Sequence, residues 1–327
     1  MMIRNYYFIS IFLVISSLSL ADTTLIKNIN GYTLTNVGDL INFEALKFTN
    51  DRIDAIYPST PEDVSFVDNV IDGSGKTLIP GLIDAHGHVG SYGLSLLRVD
   101  LVGALSESEA ADRVLEFADS NPELNWILGR GWNQVLWEEG EFPNAKSLDD
   151  LIDDRPVWLT RVDGHAGWAN SEALELAGIT QGTSAPVGGQ IIRDRDGTAT
   201  GVLIDTAMNF VSSKVPKPTI EDEKIALATA MQALAGYGLT SVHDAGINSQ
   251  TVKAYKELAT KSPLTIRINA MLSASDPLYQ DRLAEGLFSS EDQTLVINSV
   301  KIVSDGALGS RGAALLEEYT DEPGNKG

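Results

Sequence analysis

Residues 79–88 read Ile79-Pro80-Gly81-Leu82-Ile83-Asp84-Ala85-His86-Gly87-His88, where an apolar run ends on two histidines. The run Leu78–Ala85 reads as a strand. Histidines at i and i+2 project to the same side of an extended chain, so both imidazoles can reach one ion. The C-terminal end of an apolar strand is also where barrel enzymes place their sites. Taken alone, the pair reads equally well as two loop histidines. The surrounding chain separates the two readings.

Upstream, residues 22–80 are short strand candidates between polar turns. Phe43–Phe48 and Ile53–Tyr57 flank Thr49-Asn50-Asp51-Arg52, a hairpin signal. Downstream, strands alternate with helices. Ser106-Glu107-Ser108-Glu109 is a capping-box pattern ahead of Ala110, Val114, Phe117 and Ala118 at helical spacing. Pro156–Val162 is a strand candidate, and Gln190–Leu203 alternates around Asp196-Gly197 as a hairpin. Thr219 caps a helix to about Ala235, stopped by Gly236 and Gly238. Leu239–His243 is expected as a strand, Gln250–Thr260 as a helix and Leu264–Leu272 as a strand. Asp276-Pro277 is expected to open a further helix, and Leu295–Val303 is the last strand. This order argues for an α/β fold whose parallel sheet is open or closed into a barrel. The expected division is a strand-rich segment at 22–80 and a larger body at 81–327.

The chain has 327 residues, 43% hydrophobic and 21% charged, which excludes wholesale disorder. Its 24 Lys and Arg against 45 Asp and Glu give a net charge of -21, which argues against a nucleic-acid partner. It contains no cysteine, so disulfides, thiolate nucleophiles and Cys-ligated zinc are excluded. The four histidines, His86, His88, His165 and His243, therefore carry most of the options for metal or base chemistry.

Residues 1–21 have the layout of a signal peptide. Arg4 is the positive start, Tyr6–Ile15 the apolar centre, and Ser19-Leu20-Ala21 offers small residues for cleavage after Ala21. The uncharged run Asn5–Ala21 is short of the roughly 20 apolar residues a span needs, so no stable membrane anchor is expected. The implied location is secreted or periplasmic.

The stretch Ile79–His88 resembles the first-strand signature of the metal-dependent amidohydrolase superfamily. Further blocks are similar to its amidohydrolase-3 branch, which includes N-substituted formamide deformylases. They are Gly129-Arg130-Gly131-Trp132-Asn133 with Phe142-Pro143, and Arg161-Val162-Asp163-Gly164-His165-Ala166-Gly167-Trp168-Ala169-Asn170-Ser171. Two more follow, Gly238-Leu239-Thr240-Ser241-Val242-His243-Asp244 and Val300-Lys301-Ile302-Val303-Ser304-Asp305-Gly306. The resemblance covers roughly residues 67–327. It implies a (β/α)8 barrel carrying a small β-sandwich built from both chain ends, and hydrolysis of a C–N bond in an amide or cyclic amide. It also implies one or two divalent ions, zinc above all, that lower the pKa of bound water towards ~7. His86 and His88 match the family's first metal ligands. Lys301 matches the strand lysine that in many relatives is carboxylated and bridges two metals. A carbamate turns the cation into an oxygen ligand.

The other candidates rest on position. Asp163-Gly164-His165 ends a strand, so His165 can face the barrel mouth and hold a substrate carbonyl, or else serve as a structural loop histidine. His243-Asp244 ends another strand, and only one of the two can face the pocket. His243 ranks second as a catalytic candidate. Trp132, Trp137 and Trp168 read either as an apolar substrate wall or as core packing. Three decoys fail. Asp72-Gly73-Ser74-Gly75-Lys76-Thr77 has Val70 where a P-loop needs glycine. Asp194-Arg195-Asp196-Gly197 has Ile192 at the first calcium-ligand position. Gly129-Arg130-Gly131 lacks the third glycine of a dinucleotide fingerprint.

The family pattern includes further histidines and an aspartate on later strands, and no histidine follows His243. The expectation is therefore a barrel incomplete at its C-terminus, inactive as residues 1–327 alone. The alternatives are an exported barrel that binds without catalysis, or a lactonase-like esterase on the same scaffold.

Overall fold

The computed structural model describes residues 22–327 apart from Glu139, Ala307, Gly309 and Ser310. The leader expected at residues 1–21 lies outside the described residues. The chain divides after Gly81 into two units. The first contains β1 (Thr23–Lys27), β2 (Asn30–Leu34), β3 (Leu40–Phe43), β4 (Ala45–Thr49), β5 (Arg52–Tyr57), β6 (Asn69–Asp72) and β7 (Thr77–Leu78). They form a four-stranded sheet in the order β5-β4-β1-β6 and a three-stranded sheet in the order β3-β2-β7. The expected hairpin is present, with β4 and β5 antiparallel and Asn50 at φ +53 in the turn. Asparagine tolerates that left-handed conformation. Ile29, Phe43 and Leu46 make a small apolar cluster. Gly31 is required beside it, because a Cβ there would lie 2.3 Å from the Phe43 ring. The P-loop-like stretch is a turn into β7, with the Asp72 carboxylate accepting the Ser74 amide at 2.7 Å.

In chain order the second unit runs β8 (Leu82–Gly87), α1 (Val89–Leu96), β9 (Val99–Asp100), α2 (Glu107–Ser120), β10 (Ile127–Trp132) and α3 (Ala145–Asp149). Then come β11 (Val157–Arg161), β12 (Ala166–Ala169), α4 (Ser171–Leu176), β13 (Gly189–Arg193), β14 (Ala199–Asp205) and α5 (Asn209–Ser212). The last part is α6 (Ile220–Gly236), β15 (Leu239–Ile247), α7 (Ser249–Ala259), β16 (Arg267–Ser273), α8 (Tyr279–Ala284), β17 (Phe288–Ser289) and β18 (Leu295–Lys301). Among the described residues, no helix is long and apolar enough to cross a membrane.

The expected α/β class is present, with its strands in two sheets. The five-stranded sheet has the order β17-β18-β16-β15-β8. Its strands β8, β15, β16 and β18 are parallel, so their C-terminal ends share one edge. Leu227 and Met231 of α6 and Val252 and Tyr255 of α7 pack on Ile268 and Leu295 of this sheet. In the six-stranded sheet, β9, β10 and β11 are parallel and β12, β14 and β13 continue antiparallel. β8 reads from its sequence as a buried strand, yet it is an edge of its sheet. Leu82 and Ile83 are 52% and 64% exposed there, because among the described residues no strand pairs with their outer side.

Local signals explain most element ends. Ser106 Oγ accepts the Glu109 amide at 3.0 Å. The Glu109 carboxylate reaches the Leu105 amide instead of that of Ser106, which completes the box one residue early. Thr219 and Asp222 form the full reciprocal box at the start of α6. Several boundaries differ from expectation, and the run 78–85 read as one strand is broken at Ile79, Pro80 and Gly81 between β7 and β8. β15 continues to Ile247, four residues past His243, because Ala245 and Ile247 still pair with Met271 and Leu272 of β16. The helix expected after Asp276-Pro277 starts at Tyr279. The Asp276 carboxylate accepts instead from the Leu278 amide at 2.7 Å and from the Ser249 amide at the start of α7.

Candidate functional site

The site is built where the parallel strands of the five-stranded sheet end. Asp84 Oδ1 accepts the His86 amide at 2.9 Å, a local turn that sets the last residues of β8. Gly87 separates the two histidines at a tight approach, since a Cβ there would lie 2.8 Å from Val242 of β15. The His86 and His88 rings are exposed. Their centroids are 5.5 Å apart and the planes meet at 79°. Two imidazoles sharing one zinc through nitrogens at ~2.0–2.1 Å have centroids at most roughly 6.4 Å apart, and the observed separation lies within that reach.

Behind the pair sits a buried carboxylate. Asp244, opposite Gly87 in the β8–β15 register, accepts the Val89 amide at 3.2 Å and the Tyr255 hydroxyl at 2.7 Å. Burial pushes its carboxyl above the ordinary range, opposed by those two hydrogen bonds and by nearby His88. Asp244 thus faces the helices. Adjacent strand residues alternate, so His243 takes the other face of β15 and is half-buried there. Its register partner on β16 is Asn269, whose buried Oδ1 has no hydrogen-bond partner among the described residues.

Lys301 ends β18 opposite Ser273. Its stem lies across the sheet against Gly246 of β15, where a Cβ would come within 3.3 Å of Lys301 Cγ. Gly246 thus gives the lysine stem room, and at φ +88 it also adopts a backbone that favours glycine. Among the described residues, no three His, Cys, Asp or Glu side chains are grouped as a metal site. The pair ends β8 and Lys301 ends β18 on the same edge of the sheet, with β15 and β16 between them, and the lysine is an oxygen donor only as a carbamate.

His165 stands apart on the six-stranded sheet, in the loop between β11 and β12. Its amide donates to Asp163 and its carbonyl accepts the Asp205 amide at 2.9 Å. The exposed imidazole is 2.8 Å from Asp205 through Nδ1, which raises its pKa. Asp205 holds this contact from φ +49, a conformation rare outside glycine. The sequence reading missed Asp205, which lies 40 residues away with no shared motif.

The tryptophans are core. Trp132 and Trp168 are 0% exposed and Trp137 is 5% exposed, with ring centroids 6.2–6.5 Å apart. Each indole N–H donates to a backbone carbonyl: Trp132 to Leu159, Trp137 to Ala104, Trp168 to Asn144. A substrate wall needs exposed ring surface, and Trp132 and Trp168 have none. They pack between α2 and the six-stranded sheet with Val114 and Leu159.

Comparison with known proteins decides the family. A profile of the amidohydrolase family matches residues 69–326. The chain belongs to the amidohydrolase family.

This amidohydrolase is 36% identical over 265 residues to Protein LONG AFTER FAR-RED 3 of Arabidopsis thaliana, covering 77% of this chain and 45% of that one. It is 32% identical to the putative amidohydrolase YtcJ of Bacillus subtilis, covering 78% and 48%. It is 33% identical to the N-substituted formamide deformylase of Arthrobacter pascens, covering 61% and 38%. The chain thus spans about half or less of the length of these relatives. The crystal structure of an uncharacterized metal-dependent hydrolase from Pyrococcus furiosus superposes with a TM-score of 0.71 at 28% identity, covering 93% of this chain and 61% of that one. Two of these relatives are named for hydrolysis of amides, and the solved structure is named a metal-dependent hydrolase.

Proposed function

We propose that this amidohydrolase cleaves a non-peptide C–N bond, in an amide or cyclic amide, with a divalent ion held by His86 and His88. Zinc is the ion of choice, because imidazole donors suit it. Lys301, carboxylated, is the third donor in this reading. The observation that carries it is the pair of exposed imidazoles 5.5 Å apart at the end of a strand whose neighbours end on the same edge. The naming of two relatives, as an amidohydrolase and a formamide deformylase, supports the C–N bond. A divalent ion so placed lowers the pKa of the water it binds towards ~7, which makes hydrolysis possible at neutral pH.

The chain's own residues have separable tasks in this reading. Asp84 orients the His86 backbone, and Asp244 holds the amide that follows His88. His243 and His165 are the groups able to carry a proton or hold a carbonyl. The reading also includes closure of the parallel strands into a (β/α)8 barrel and export through residues 1–21. The test is metal content and amide turnover of the complete protein, loaded with zinc, beside His86→Ala and His88→Ala. Both variants are expected to lose bound zinc and turnover together. Unchanged zinc content in both would overturn the reading. Turnover of esters but not of matched amides would overturn the C–N assignment alone.

A further inference from the structure

A second feature of the C-terminal strand edge concerns charge. Asp100 ends β9 and pairs with Arg130 on β10, and Val162 follows directly after β11. Because these three strands are parallel, the residues rim one edge of the six-stranded sheet. Between this rim and α1 lies a cleft of about 660 Å³. Ser91 and Leu94 of α1 line it, and they also line a smaller cavity that contains His88 and Asp244. The two spaces therefore share a wall.

Arg98 and Arg130 both line the larger cleft. In this chain some arginines pair with a carboxylate and others do not. Arg113, Arg155, Arg161, Arg282 and Arg311 each do so. Arg98 and Arg130, like Arg52, Arg193, Arg195 and Arg267, have none within 4.0 Å among the described residues, and they differ from those four in lining one cleft together. Asp100, on the same wall, is turned to its own loop and accepts the Val102 amide at 2.9 Å. Arg130 Nη2 donates to the Val162 carbonyl at 3.1 Å, which braces the side chain and leaves most of its five N–H groups unused. Gly131 brings the end of β10 close to Val102, where a Cβ would lie 2.7 Å from the backbone nitrogen, so the position of Arg130 is fixed from both sides. Partial desolvation lowers the Arg98 pKa from its ordinary value, while Arg98 and Arg130 both remain exposed to solvent. An anion in the cleft gains charge-assisted hydrogen bonds from these guanidinium groups.

We propose that this cleft is an anion site that takes the carboxylate of a small organic ligand, with Arg98 and Arg130 as the recognising groups. Leu96, Val102 and Val162 supply apolar wall for the rest of the ligand. If the hydrolase reading above holds, the substrate is a carboxylate-bearing amide. That clause rests on the reading, whereas the binding itself does not.

The test is titration of the chelator-treated full chain with phenylacetate and with its neutral isostere phenylacetamide, followed by calorimetry. Phenylacetate is expected to bind, and phenylacetamide to bind at least about tenfold more weakly. Arg98→Ala and Arg130→Ala should each weaken phenylacetate by roughly tenfold, while Arg195→Ala, on the β13–β14 hairpin, should not. Arg130→Lys guards against loss of the Val162 brace and should retain part of the affinity. Equal binding of acid and amide, binding untouched by both alanine variants, or no saturable binding would each overturn the proposal. Binding seen only when zinc is present would also overturn it. That outcome would place the carboxylate on the metal and leave the hydrolase reading standing.

Discussion

Asp244 on β15 and Tyr255 on α7 are joined by a 2.7 Å hydrogen bond, and both side chains are buried. The other oxygen of Asp244 accepts the amide of Val89, the residue after His88. The helical layer therefore reaches through one carboxylate to the backbone that carries the histidine pair. Burial also pushes the Tyr255 hydroxyl well above its ordinary pKa, so it stays a donor across the working range. Tyr255→Phe removes that donor and leaves a buried carboxylate on one backbone amide. The expected cost is about 1–3 kcal/mol of stability, read as a lower urea midpoint at unchanged slope. An unchanged midpoint would show that the carboxylate finds another partner at no cost.

Lys301 tests the metal site from β18, two strands removed from the neighbour of β8 on the same sheet edge. Its stem is accommodated by Gly246, so truncation leaves the sheet intact while removing the nitrogen that a carbamate requires. Lys301→Ala in the full chain is expected to lower bound zinc, with formate or acetate restoring part of it by supplying the missing oxygens. Labelled bicarbonate should give a carbamate carbon signal in the parent and none in the variant. Equal zinc content in both would make Lys301 a strand residue.

What was legible in the sequence was local. The turn at Asn50, the Thr219 cap and a strand running into the histidine pair all follow from residues within a few positions of one another. What was not legible depends on long-range pairing. Whether Trp132 and Trp168 face a pocket or a core is set by the β10–β11–β12 register and a bulge between Arg130 and Trp132. Asp276 carries the signal of a helix cap, but the α7 start competes for its carboxylate and wins. The Asp205 and Gly246 contacts link residues brought together only by the sheets.

The tryptophan placement has a measurable consequence. Trp168→Ala removes a fully buried indole that packs against Trp132 and Trp137. The expected loss is about 3–5 kcal/mol, the range for a large aromatic deleted from a core. Intrinsic fluorescence during urea unfolding would read it. A loss below about 1 kcal/mol would return Trp168 to the substrate-wall alternative that the sequence left open.

The His165–Asp205 contact predicts a pH response with a definite sign. The hydrogen bond and charge of Asp205 raise the imidazole above its ordinary pKa of 6.5, desolvation opposes them weakly, and Asp163 adds a smaller upward pull. Asp163 is itself engaged by Arg161, which limits its share. A raised folded-state pKa means that the contact stabilises fully below the ordinary value and fades as pH rises through the higher one. Asp205→Asn is the appropriate variant, because asparagine accepts φ +49 as readily as aspartate and loses only the charge. Proton–carbon correlation spectra of the His165 ring should then titrate at a lower pH, and Asp163→Asn should move it less. If Asp163→Asn shifted the ring more than Asp205→Asn, the 2.8 Å contact would not be the one that sets its charge, and the outward imidazole would have to be oriented by the loop alone.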